Sequence, residues 1–261
     1  MNELVLSRHC FLISARQLPP RQNQRPGVVL LTALDEPLCV ELSTGESIKS
    51  WALLFAPETK RRFVVSQPHL SLTIEPGHAH YLSFLRWARE CDTAPSSVSR
   101  ELSFSQTHAA DWRDCLPGLK KESDLERRIE DFLVSTAHPR VLPTDDLIAL
   151  FELLDATSAD DHMTAERLWR EFRATRAGSQ SSWSRWLQAE LGLSLRKLVL
   201  WRKLRRAMDR LGQDTHATRV AYDAGFADSA HLSRLCLRTF GLRPNEASNR
   251  KILQVRTLHA T

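Results

Sequence analysis

Two sets of residues have types and spacings able to do chemistry. The first is His69, Glu75, His78 and His80, side chains with metal-ligating or acid–base capacity that fall close together. A His-x-His pair on one strand face can hold a divalent metal when a carboxylate follows at short spacing. Here the next carboxylate after His80 is Glu90, and Glu75-Pro76-Gly77 sets the pair beside a turn. These are expected to be solvated turn histidines, with no metal and no catalytic residue. The chain also lacks a phosphate-cradling glycine loop and a nucleophile motif, so no cofactor is expected.

The second set occurs twice. Trp183-Ser184-Arg185-Trp186-Leu187 and Leu232-Ser233-Arg234-Leu235-Cys236 stand at a constant offset of 49 residues. Each is followed at equal spacing by an apolar residue (Leu191 or Phe240), a glycine (Gly192 or Gly241) and a leucine (Leu193 or Leu242). In both copies the apolar positions fall at i, i+3, i+4 and i+8, one face of a helix, and the Ser-Arg pair points off that face. An arginine can make two hydrogen bonds to guanine and a glutamine such as Gln180 two to adenine, each pair worth about 1–3 kcal/mol of discrimination. Serine and histidine can instead hold phosphates. An ordinary helical bundle with glycine caps would not need the same off-face pair twice.

The surrounding residues predict how these pairs are positioned. Ser179 and Asp228 are N-cap residues, and Gly192 and Gly241 supply the left-handed residue that ends a helix. Before the first copy, Leu168, Trp169 and Phe172 form a helical face and Ala177-Gly178 a turn. Before the second, Ala217, Val220 and Ala221 form the face, Gly225 the turn and Phe226 a core plug. Each copy thus has the sequence form of a helix-turn-helix. Between them Leu195, Leu198, Trp201, Leu204, Met208 and Leu211 predict one helix of about 25–30 Å at 1.5 Å per residue. That length is comparable with the roughly 34 Å between successive major-groove faces on one side of DNA. Its other face carries Arg196, Lys197, Arg202, Lys203, Arg205, Arg206 and Arg210, suited to solvation or to phosphates.

Charge separates the two parts of the chain. Residues 162–261 carry a formal +11 and residues 1–161 a formal −6, within the net +5 of the whole. Such asymmetry points to a polyanion partner for the basic part alone. From Val28 to Ile74, five β-rich runs (Val28–Ala33, Leu38–Leu42, Ser50–Phe55, Arg61–Val65 and His69–Ile74) are separated by Pro-, Gly- and Ser-rich turns, which predicts a small antiparallel sandwich or barrel. After Tyr81 the pattern is helical to the end. Leu125, Ile129, Phe132 and Leu133 recur at helical spacing, Thr144 caps a helix containing Leu147, Phe151 and Leu154, and His138–Pro143 reads as a linker. Five scattered cysteines without a Cys-x-x-Cys pair predict neither zinc nor a disulfide framework. No apolar run approaches the roughly 18 residues of a membrane span, and the N-terminus is not patterned as a secretory signal, so a cytoplasmic protein without a membrane partner is expected.

Residues from about Thr164 to Pro244 resemble the DNA-binding domain of the AraC/XylS family of bacterial transcription regulators. The resemblance rests on the Ser-Arg helix ending in Glu190-Leu191-Gly192, Lys203-Leu204-x-x-Ala207, Ala221-x-x-x-Gly225-Phe226-x-Asp228-Ser229, and Gly241-Leu242-x-Pro244. Cys236-Leu237 departs from the family's usual Phe-Lys, and Arg243 stands where a serine is usual. Ser181 and Ser182 are smaller than the side chains often found there. The resemblance implies that Gln180, Ser181, Ser184 and Arg185 of the first unit and Ser229, His231, Ser233 and Arg234 of the second face the DNA groove.

It further implies an α+β protein, with an N-terminal cupin-like antiparallel β domain (1–90) and a helical connector and linker (91–142). The rest (143–261) is then an all-α domain with two helix-turn-helix units joined by a long helix. The expected activity is sequence-specific, effector-responsive regulation of transcription rather than an enzyme reaction. Expected partners are double-stranded promoter DNA, a small-molecule effector, RNA polymerase and a second copy of the chain. The competing readings are a metal-dependent cupin-type enzyme with a DNA-binding appendage, and a regulator working through protein contacts, for which Asp124–Leu133 is the candidate helix.

Overall fold

The computed structural model describes residues 2–16, 21–64, 67–93, 122–136, 140–157, 163–211, 216–249 and 251–258. Strands β1 (Asn2–Leu6), β2 (Cys10–Ala15), β3 (Gln22–Asn23), β4 (Val28–Ala33), β5 (Leu38–Leu42), β6 (Ser47–Ser50), β7 (Ala52–Phe55), β8 (Arg61–Phe63) and β9 (His69–Ile74) are followed by a helical region and a last strand, β10 (Leu253–Thr257). They build a six-stranded sheet, β10-β1-β2-β9-β4-β7, and a four-stranded sheet, β3-β8-β5-β6. The expected strand 50–55 is divided at Trp51. Ser50 Oγ donates to the Ala52 carbonyl at 2.9 Å, and this local bond turns the chain from one sheet into the other.

Side-chain alternation makes the large sheet a partition with two buried faces. Val5, Leu12, Val28, Leu30, Leu54, Leu70 and Leu72 project to one side, where they share a core with helices α1 (Tyr81–Thr93), α2 (Glu122–Thr136) and α3 (Asp145–Ala156). On the other side the β4–β7 end, through Val29, Leu31, Leu53 and Phe55, packs on the small sheet. The β1–β2 end, through Leu4, Leu6, Phe11 and Ile13, packs on the C-terminal helices. Leu125, Ile129 and Leu133 of α2 are buried in the first core, which gives the apolar face of the Asp124–Leu133 segment an intramolecular role. Thr144 caps α3 as expected, accepting from Leu147 N. Of the expected linker, His138 and Pro139 lie outside the described residues, as does Val65.

The helices do not continue to the end of the chain. β10 pairs parallel with β1, from Asn2 opposite Leu253 to Leu6 opposite Thr257, and Arg256 bonds Glu3 at 2.8 Å. An unpaired β1 would be an exposed sheet edge. The last strand covers it and ties the two chain ends together.

Candidate nucleic-acid interface

The first helix-turn-helix is α4 (Ala165–Arg173) and α5 (Gln180–Leu191). Thr164 caps α4 by accepting from Arg167 N, and Ser179 caps α5 by accepting from Ser182 N at 3.1 Å. The turn needs Gly178, which sits at φ +118° with Trp183 Nε1 only 3.0 Å from where a Cβ would stand. Trp183 Nε1 donates to the Ala177 carbonyl at 3.1 Å, closing that turn. Phe172, Trp183 and Trp186 then form an aromatic cluster, with Trp183 edge-on to both neighbours at 5.2 Å. Arg176 covers it, 4.2 Å from the Phe172 ring centre and 2.7 Å from Asp146. Gln180, Ser181 and Arg185 are exposed and Ser184 is half-buried.

The second unit is α7 (Ala217–Asp223) and α8 (Ser229–Phe240). Gly225 has φ +78° in its turn, and Asp228 caps α8, accepting from His231 N at 2.6 Å. Phe226 is buried as expected and stands edge-on to His231 at 5.3 Å. Arg234 is exposed, while Ser229, His231 and Ser233 are half-buried. Cys236 faces the core, where burial pushes its thiol up to about 12, so it serves as a small apolar residue.

The far ends of α5 and α8 are held by the N-terminal domain, a feature with no local sequence signal. Both helices end in left-handed glycines, Gly192 and Gly241, each at φ +71°. At the end of α5, Tyr81 Oη donates to the Leu191 carbonyl at 2.8 Å and Arg89 Nη2 to the Ala189 carbonyl at 2.8 Å. At the end of α8, Gln24 N donates to the Arg238 carbonyl at 2.8 Å, Arg25 Nε to the Thr239 carbonyl at 3.3 Å and Arg21 Nη1 to the Gly241 carbonyl at 3.0 Å. Cations at these ends suit the negative pole of a helix. Arg25 is fully buried. It also donates to Ser71 Oγ and Thr73 Oγ1, and desolvation lowers its pKa to about 9.

The joining helix α6 (Leu195–Leu211) has its expected length and apolar face, but its basic face is not a free phosphate surface. Lys197 pairs with Glu58 at 2.7 Å, Arg202 with Asp155 at 2.8 Å and Arg210 with Asp223 at 3.6 Å. Lys203 and Arg206 donate to the carbonyls of Gly225 and Ala224. Arg205 bonds Glu75, and Trp201 Nε1 donates to the same buried carboxylate at 2.9 Å. Arg196 and Lys197 are the α6 cations whose residues stay exposed. Glu75 is fully buried, and leaving its carboxylate unpaired would be costly; Glu58, Asp155 and Asp223 are partly exposed partners.

The four candidate metal ligands do not converge on one point, and of them His78 and His80 stay together. Glu75 belongs to Trp201 and Arg205. His69 lies in the sandwich, its ring centre 4.1 Å from that of Phe63, and Nδ1 donates to the Gln67 carbonyl at 2.7 Å. Contrary to expectation, His78 and His80 are not solvated. His78 Nε2 donates to Glu130 Oε1 at 2.9 Å, and His80 lies 3.9 Å from the other oxygen, with both rings largely covered. The hydrogen bond from His78 holds Glu130 below the usual carboxylate range, and burial holds His80 below its own. Among the described residues no group of three His, Cys, Asp or Glu could hold a metal.

Against known proteins, a family described as a helix-turn-helix domain matches residues 162–250. No curated protein sequence matches the chain. Among solved structures the chain is similar to an apo variant of ToxT from Vibrio cholerae, with a TM-score of 0.60 and 11% identity over 93% of this chain and 98% of that one. It is similar to Vibrio cholerae ToxT bound to a methylnaphthalenyl-butenoic acid, with a TM-score of 0.55 and 9% identity over 92% and 98%. The likeness extends to ToxT of that organism bound to an unsaturated fatty acid, with a TM-score of 0.53 and 11% identity over 92% and 93%. At such identities the likeness is one of fold, and it spans both parts of the molecule. Two capped, glycine-ended helices on one joining helix, within the matched segment, make residues 162–250 a helix-turn-helix domain of the AraC type.

Proposed function

We propose that this protein is a sequence-specific DNA-binding transcription regulator whose N-terminal domain responds to a small-molecule effector. The observation that carries the reading is the shared polarity of α5 and α8. Both recognition helices have their C-terminal carbonyls tied to the N-terminal domain, while Gln180, Arg185 and Arg234 stay exposed along them. In the helix-turn-helix mode, the N-terminal residues of a recognition helix contact base edges. Arg185 and Arg234 would read guanine, Gln180 adenine, and Ser181, Ser184, Ser229, His231 and Ser233 neighbouring edges or phosphates. Placing both helices in successive major grooves fits the 17 residues of α6, about 25 Å of helix.

For the effector, the fold shared with fatty-acid-bound ToxT supports a hydrophobic carboxylic acid as the first class to try. RNA polymerase and a second copy of the chain follow from the family resemblance. Sedimentation over a concentration series tests the latter, with an unchanging monomer mass counting against it.

The test of the main reading is selection of full-length wild type, Arg185→Ala and Arg234→Ala against a genomic DNA pool across a salt series. Selective enrichment of one site by the wild type, weakened in either variant, is the expected result. Uniform salt-labile binding by all three would sink it.

A further inference from the structure

The N-terminal domain does more than anchor α8; it completes a basic trough along it. A groove of about 650 Å³ lies between Gln22 and Lys60 of the N-terminal domain and Arg234, Arg238 and Arg243 of the second unit. Its geometry is fixed by the three bonds from Gln24, Arg25 and Arg21 to the end of α8. Arg21, also on its wall, is neutralised by Glu246, which it grips at 2.9 and 3.2 Å. Lys60, Arg234, Arg238 and Arg243 form no ion pair with any carboxylate among the described residues, and all four are exposed. Lys60, Arg234 and Arg238 face the trough with no counter-charge of their own, while Arg243 shares the field of Glu246, which accepts from its main-chain N–H at 2.7 Å.

We propose that this trough holds the sugar-phosphate backbone of DNA beside the second recognition helix, so that Lys60 of the N-terminal domain contacts phosphate directly. The inference rests on the DNA-binding reading above. Two properties favour a backbone strand over a small ligand. A pocket for a small molecule encloses most of its ligand, whereas this trough is open, and Arg21, Lys60, Arg234, Arg238 and Arg243 bring cationic groups to its wall. Arg234 also lines the trough, so a duplex engaged by that residue lies against its wall, where the exposed cations suit phosphates. The DNA footprint therefore extends past the helix-turn-helix domain, and any movement of the N-terminal domain changes affinity through Lys60.

The experiment uses the full-length chain, a duplex carrying the site selected by the wild type and a non-target duplex of equal length. Lys60→Gln should lower affinity for both duplexes by the same three- to tenfold and flatten the slope of log K against log salt by about 0.9. Arg238→Gln should do the same, and Lys60→Arg should restore both values. Selectivity should survive in Lys60→Gln and fall in Arg185→Ala. Lys60 is exposed just before β8, so an unchanged thermal midpoint confirms that the variant is folded. An unchanged affinity and slope in Lys60→Gln, with selective wild-type binding intact, overturns the proposal and leaves the main reading standing. No selective binding by the wild type removes both. Loss of oleate binding in Lys60→Gln, with DNA binding untouched, overturns it by assigning the trough to an anionic effector.

Discussion

The two helix-turn-helix units share capping chemistry and differ in what holds them. The first is built on an aromatic cluster and joins the core on the α1 side of the large sheet, through Leu168, Phe172, Leu187 and Leu191. The second packs on the opposite face of that sheet, through Phe226, Leu232, Leu235 and Phe240 against Phe11 and Ile13. One sheet thus separates two otherwise repeated units. The first is fastened by a tyrosine hydroxyl and an arginine from a helix, the second by main chain and arginines from a short strand and its flanks. Like sequences can therefore be expected to fail differently.

The largest difference should come from the cores. Phe172→Ala opens the aromatic cluster and should cost about 3–5 kcal/mol, read by urea unfolding, with Trp183 and Trp186 fluorescence changing first. If those signals move only with global unfolding, the first unit is not a separable structure.

Acid probes the buried histidines of the N-terminal domain. Burial lowers His69 to about 4 and His9 likewise to about 4, beside Arg25 and Arg202 respectively. The unfolded chain then takes up protons below about pH 6.5 that the folded chain refuses until about pH 4. Stability should be flat above that window and fall within it, by up to about 1.4 kcal/mol per pH unit for His69 alone. His69→Gln should flatten the fall. An identical profile for the variant would remove the buried histidine from the explanation.

Gly178→Ala forces a side chain into a left-handed position against Trp183 and should cost about 1–3 kcal/mol. The loss should appear in the first unit and leave DNA contacts by the second intact. At the anchors, Tyr81→Phe leaves the buried Leu191 carbonyl unpaired and should cost about 1–2 kcal/mol. Arg21→Ala, at a partly exposed pair, should cost under about 1 kcal/mol. Equal losses would erase the distinction between the two anchors. The shared caps give effects of similar size: Ser179→Ala and Asp228→Ala should each cost about 1 kcal/mol, detectable as paired shifts in thermal midpoint.

Much of this was legible in the sequence, because caps, glycine turns and helix periodicity are set by a residue and its neighbours within four positions. Ser179, Asp228, Gly192, Gly241 and the span of α6 follow from the backbone demands of N-H groups and left-handed residues. The internal repeat likewise set apart Arg185 and Arg234, and strands β4, β5 and β9 showed themselves by alternation and turns. The fate of the basic face on α6, the burial of His78 and His80 under Glu130, and the pairing of β10 with β1 were not legible. Each depends on a partner far along the chain: Glu75 for Trp201 and Arg205, Asp155 for Arg202, Asn2 to Leu6 for the last strand. Periodicity tells which face of an element is apolar and which is charged. Only packing in three dimensions decides whether a charge meets water or a buried acceptor, because that choice is made by the cost of leaving the acceptor unpaired.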